Sequence, residues 1–218
     1  RRSINPEIAP KPLTGDATPP LDETARAILD AASRRFMHYG YGKTTMSEIA
    51  GDCNMSTGNL YRYFPSKLDI AEAFVRRLRA EQIRMLREAV GKSGLSTQDK
   101  LRTFFKLKLK LVYDRFHDRP KAYELSQEIL KERPSFADEW ERAESRVLCE
   151  VLEEGEGAGE LALCDRNRTA RILQDIFFRF ASSSVYYEGD YDVLAGELDD
   201  VMDLVWDAFE HRKELAIR

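Results

Sequence analysis

Apolar residues in this chain return every three or four positions and nowhere alternate with period two over a useful length. That pattern confines the chain to helices and gives no start to a sheet. From Asp22 onward, Ala25, Ile28, Leu29, Ala32 and Phe36 form a stripe that faces a core, and Gly40 and Gly42 end the helix. A second, short helix is predicted from Thr45 to Cys53, with Thr45 as N-cap and Glu48 three residues on, the spacing of a capping box. Asn54-Met55-Ser56 follows, where Asn tolerates the left-handed backbone of a tight turn and Ser56 can cap a third helix, Thr57 to Phe64. Pro65-Ser66 closes it, and Ser66 caps a long fourth helix to about Val90. Five more helices are read at 96–117, 120–132, 134–153, 166–187 and 191–211, which makes about nine.

Hydrophobic residues make up 43% and charged residues 33% of the 218, the balance of a globular chain rather than a disordered one. No apolar run approaches the roughly 18 residues of a spanning helix. Residues 1–20 hold Pro6, Pro10, Pro12, Pro19 and Pro20 and lack an apolar signal-peptide core, so they read as a flexible Pro-rich tail. Cys53, Cys149 and Cys164 are an odd number, far apart and without neighbouring histidines, which suggests neither a disulfide framework nor a zinc site and fits a reducing, cytoplasmic setting. The net charge is −4, with a small positive excess over the first third and an acidic remainder. Such a chain can present one end to phosphate and hold the other away from it.

Two short helices joined by a tight turn outline a helix-turn-helix, whose second helix enters the major groove. In that helix Leu60 and Phe64 share the inner side, while Thr57, Asn59, Tyr61, Arg62 and Tyr63 offer polar tips. Gly58 leaves room for backbone to approach DNA, or else for a tight helix crossing. No HExxH, GxSxG, Walker-type or paired-Cys motif is present, so no catalytic residue, metal or cofactor is expected and the chain does not read as an enzyme. The glycines of Glu153 to Gly159 read as a flexible connection rather than a phosphate cradle.

The stretch Thr44 to Ile70, TTMSEIAGDCNMSTGNLYRYFPSKLDI, resembles the DNA-binding signature of TetR-family repressors: Thr-Thr, a hydrophobic-Ala pair, a turn, Ser-x-Gly-x-Leu-Tyr-x-Tyr-Phe and Ser-Lys, preceded by Phe36-x-x-x-Gly40. Two positions depart from it. Asn54 stands where the family usually has Gly in the turn, and Gly51 lies inside the second helix, where it costs about 1 kcal/mol of helix propensity. The resemblance implies an all-α fold with a three-helix DNA-binding domain at 21–68 and a ligand-binding and dimerisation domain at 69–218. It implies phosphate contacts from Thr45 and Lys67, with Ser56, Tyr61 and Tyr63 near the DNA backbone. Lys43 joins them on charge and position alone. Base reading falls to Thr57, Asn59 and Arg62, since an amide pairs with adenine and a guanidinium with guanine.

For the rear domain the resemblance implies a cytoplasmic homodimer that binds double-stranded operator DNA, and a largely apolar small-molecule effector among the middle helices. Candidate lining residues are Phe104, Tyr113, Phe116, His117, Tyr123, Trp140, Phe177, Phe180 and Ser184. Candidate dimer residues are Phe177, Leu198, Val201, Val205, Trp206 and Phe209. The expected function is a sequence-specific regulator, a repressor released from a palindromic operator by its effector. The alternative is a DNA-binding regulator governed by a protein partner with no small molecule.

Overall fold

The computed structural model describes residues 22–182 and 190–217. Among these residues there are nine α-helices and no strand: α1 (Glu23–Tyr39), α2 (Met46–Asp52), α3 (Thr57–Tyr63), α4 (Lys67–Val90), α5 (Thr97–Phe116), α6 (Pro120–Glu132), α7 (Ser135–Gly157), α8 (Arg166–Ile176) and α9 (Tyr191–Ile217), with a 3-10 turn at Phe178–Ala181 after α8. The proposed tail at 1–20 lies outside the described residues.

The helix starts follow local chemistry. Asp22, Ser56, Ser66, Ser96 and Asp165 each accept a hydrogen bond from a backbone N–H of the first turn of their helix. Thr45 and Glu48 close the expected capping box at α2.

Two apolar cores share one long helix. In the front core Ile28, Leu29 and Phe36 of α1, Ile49 of α2, Leu60 of α3 and Ile70 and Phe74 of α4 pack together, closed from behind by Leu125 and Ile129 of α6 and Phe136 of α7. In the rear core α5 is central: its Leu101, Phe104, Phe105, Leu109 and Val112 pack with residues of α4, α7, α9 and the 3-10 turn after α8. The Phe105 ring stacks on Phe177 with centroids 4.1 Å apart. The expected division after residue 68 falls in the first turn of α4, which contributes to both cores. An ion-pair cluster reinforces that junction. The nearly buried Glu72 of α4 binds Arg76 at 2.8 Å and Arg133 at 2.9 Å, and Arg76 reaches Glu139 of α7 at 2.6 Å.

Three boundaries differ from the sequence expectation. The proposed loop at Glu153 to Gly159 is helical as far as Gly157. Gly155 is there because a side chain would not fit: a Cβ would lie 2.5 Å from Thr97 Oγ1 and 3.0 Å from Leu161 Cδ1. The eighth helix stops at Ile176, and the 3-10 turn aims Phe177 and Phe180 inward while Phe178 stays 67% exposed. The last helix continues past residue 211 to Ile217.

Candidate nucleic-acid interface and ligand cavity

The turn between α2 and α3 is built as a paired C-terminal cap. Asn54 takes φ 53°, its N–H donates to Gly51 O at 3.1 Å, and the Met55 N–H donates to Ala50 O at 3.0 Å. This is the Schellman arrangement, with Asn in place of the usual glycine. Leu60 is fully buried and Phe64 nearly so, which anchors α3 by its inner side. Lys43, Thr45, Ser56, Gly58, Tyr61 and Arg62 are exposed, and Thr57, Asn59, Tyr63 and Lys67 are half-buried around the same end of the molecule. A Cβ added at Gly58 would meet nothing within 4 Å, so tight helix crossing does not account for that glycine.

Arg35 of α1 holds α2 in place with a two-pronged grip on Asp52, at 2.6 and 2.9 Å, and a third contact to Glu48 at 3.3 Å. The hydrogen bonds from Arg35 hold the Asp52 carboxyl below its ordinary range, and those from Thr45 do the same for Glu48. Lys67 is more constrained than its sequence position suggests. Its ammonium donates to the carbonyls of Tyr41 at 2.7 Å and Thr44 at 2.8 Å and sits 4.3 Å from the Tyr41 ring centroid. Partial burial lowers its pKa. Two of its three N–H groups therefore fasten the loop before α2 to the start of α4.

Behind this head a cavity of about 290 Å³ opens between α4, α6, α7 and the α8 end. Its apolar wall is Val75, Ile129, Leu130, Phe136, Trp140 and Phe178, and its polar wall includes Arg79, Lys108, Glu144 and Gln174. Of the nine lining residues expected from sequence, Trp140 alone borders this cavity. Phe104, Phe116, Phe177 and Phe180 are buried in the rear core. Tyr113 and His117 border a separate hollow with Asp114 and Arg119, and their rings stack at 4.2 Å. Tyr123 packs half-buried against the core, and Ser184 lies outside the described residues. The polar wall is what sequence reasoning missed. Its signal is a charged residue inside an apolar stripe: Lys108 lies four positions from both Phe104 and Val112, and Arg79 four from both Val75 and Ile83.

Three of the six dimer candidates are withdrawn from any partner surface by packing within the chain. Phe177, Leu198 and Phe209 are buried within the chain, and Val201, Val205 and Trp206 are partly covered. The reason is that α9 first needs an apolar stripe of its own to lie along α5, a packing fixed by Arg102 on Asp199 at 2.6 Å and Lys106 on Asp199 at 2.6 Å. The large apolar side chains left exposed at this end are Ile172, Ile176, Phe178, Val193, Leu204 and Leu215.

A capped helix-turn-helix carried on the start of a long helix is the geometry of a DNA-binding transcriptional regulator. Residues 28–74 match the bacterial regulatory proteins of the tetR family, and residues 97–202 match the tetracyclin repressor-like C-terminal domain. The chain belongs to the TetR family. It is 36% identical over 67 residues to the HTH-type transcriptional repressor BepR of Brucella suis biovar 1 (strain 1330), a segment that is 31% of this chain and 32% of BepR. The chain thus spans about a third of that relative's length. Among solved structures it resembles a transcriptional regulator from Cytophaga hutchinsonii with a TM-score of 0.66 and 23% identity, over 86% of this chain and 98% of the other. It also resembles Thermus thermophilus FadR, a TetR-family repressor solved with lauroyl-CoA, with a TM-score of 0.60 and 23% identity over 83% and 92% of the two chains. Among the described residues no helix is long and apolar enough to cross a membrane.

Proposed function

We propose that this chain is a cytoplasmic, homodimeric repressor that leaves a roughly palindromic operator when a small molecule fills its rear cavity. The observation that carries this reading is the position of α4. The helix begins at Lys67, shortly after the reading helix, and twelve residues on presents Arg79 to the cavity. At about 1.5 Å per residue it spans roughly 36 Å, so a small tilt at the cavity displaces the head at its other end. The FadR neighbour, which binds lauroyl-CoA, supports a ligand site in a fold of this kind.

In this reading Thr57, Asn59 and Arg62 face base edges, and Gly58 lets the start of α3 approach the groove. Lys43, Thr45, Ser56, Tyr61, Tyr63 and the third N–H of Lys67 contact phosphates. The second copy docks on the exposed apolar residues of α8 and α9, because a palindromic site needs two heads on one side of the duplex. The effector acts only through differential affinity: it must bind the released arrangement better than the operator-bound one.

Fluorescence anisotropy tests this with DNA from upstream of the protein's own gene, scrambled DNA as control, and a salt titration. Selective binding that weakens steeply with salt is the expected result. Equal binding to both DNAs at every salt concentration argues against it.

A further inference from the structure

The rear cavity is lined by two cations, Arg79 and Lys108, and three carboxylates, of which Glu144 alone is buried. Arg79 enters from α4 with its guanidinium 4.9 Å from the Trp140 ring centroid. Its Nε is buried without a hydrogen-bond partner, and it makes no ion pair among the described residues. Arg115 of α5 lies near enough to feel the charge of Arg79. Burial first, and then that like charge, pull its pKa down to about 10. Lys108 and Glu144 form a buried pair, and the other Glu144 oxygen accepts from Gln82 at 3.4 Å, so the one deeply buried carboxylate is already engaged. Glu141 and Asp175 border the cavity from exposed positions on its rim. Gln174 donates to the Glu141 carbonyl at 3.0 Å, and its Oε1 is buried without a partner.

The charge of Arg79 is offset only by Glu144, which Lys108 already holds, so a guanidinium with a buried, unbonded Nε is incompletely compensated and an anion from outside would complete it. A guanidinium fork matches the two oxygens of a carboxylate or phosphate better than any neutral group. The opposite wall is mainly apolar and aromatic, with Ser126 its one hydroxyl, and the volume is at the small end for ligand pockets. We infer that the effector of this protein is a small anion, a carboxylate or phosphate monoester head on a short apolar body, with the head on Arg79 and the body against Phe136, Trp140 and Ile129. The inference rests on the ligand-responsive reading above and deepens it. It also supplies the link to DNA binding: Arg79 belongs to α4, so an anion that draws the guanidinium acts directly on the helix that carries the head.

The test is isothermal titration calorimetry of the full chain with four probes of equal tail length: octanoate, octyl phosphate, octanol and octylammonium. At least one of the two anions should bind tenfold or more tighter than octanol, and octylammonium should bind weakest. The order of octanoate and octyl phosphate then identifies the head group. Arg79→Gln should lose at least tenfold of the anion's affinity while leaving octanol unchanged, with Arg79→Lys between the two. If Arg79→Gln lowers the melting temperature enough to leave unfolded protein, Arg115→Gln and the four probes on the unaltered chain decide the matter. Octanol binding as tightly as both anions overturns the inference, as does neither anion binding to protein that still binds its operator. Loss of operator selectivity in the same preparation strikes the regulator reading instead, so the two failures are distinguishable.

Discussion

At the scale of single residues, Lys67 shows how one side chain serves two ends. Its ammonium ties Tyr41 O and Thr44 O to the first turn of α4, and its third N–H is the one proposed to contact phosphate. Lys67→Ala should therefore lower affinity for all DNA sequences alike and reduce the slope of log affinity against log salt by about one. The same variant should melt earlier in the absence of DNA, because the loop before α2 loses its fastening. An unaltered salt slope with a lowered melting temperature would assign Lys67 to the loop alone. Asn54 is the counterpart on the backbone: it holds φ 53° at no large penalty, and its side chain type was the signal that placed the turn.

At the scale of elements, two glycines within helices have opposite meanings. Gly51 is in α2 with nothing within 4 Å of a would-be Cβ, so Gly51→Ala should stabilise the chain by about 0.5–1 kcal/mol through backbone entropy and propensity. Gly155 in α7 is pressed against Thr97 and Leu161, so Gly155→Ala should destabilise it by about 1–3 kcal/mol through overpacking. Thermal melts of the two variants should move in opposite directions; movement in one direction would contradict the packing described for α7 on α5.

The sequence cannot separate these two glycines, because the contact that distinguishes them joins residues 58 positions apart. By contrast, the reading head is legible in sequence because its determinants are local. Thr45 with Glu48, Asn54, Ser56 and Ser66 each act within a few residues of where they stand. The cavity is the reverse case. Phe104 and Phe177 read as ligand-lining because they are aromatic, yet they fill the rear core, while Arg79 and Glu144 look like surface charge until α4, α5 and α7 are brought together.

At the scale of the whole molecule, the proposed function needs two copies. The exposed apolar residues of α8 and α9 are proposed to bury each other across a two-fold axis, so Ile172→Asp combined with Leu204→Asp should give a monomer by light scattering at micromolar concentration. That monomer should keep its helical content but bind operator DNA far more weakly, because each head then acts alone. An unaltered dimer in the double variant would move the interface elsewhere. The junction formed by Glu72, Arg76, Arg133 and Glu139 couples the head to α6 and α7, so head and cavity are not mechanically separate units.

The proposed function rests on sequence-specific reading by a symmetric pair of heads. It is tested most directly by incubating the protein with a random duplex library and sequencing what it retains through several rounds. The expected result is enrichment of a two-fold symmetric motif whose half-sites present their major grooves to one side of the duplex. Retained DNA with no common motif, or a single asymmetric site, would contradict it.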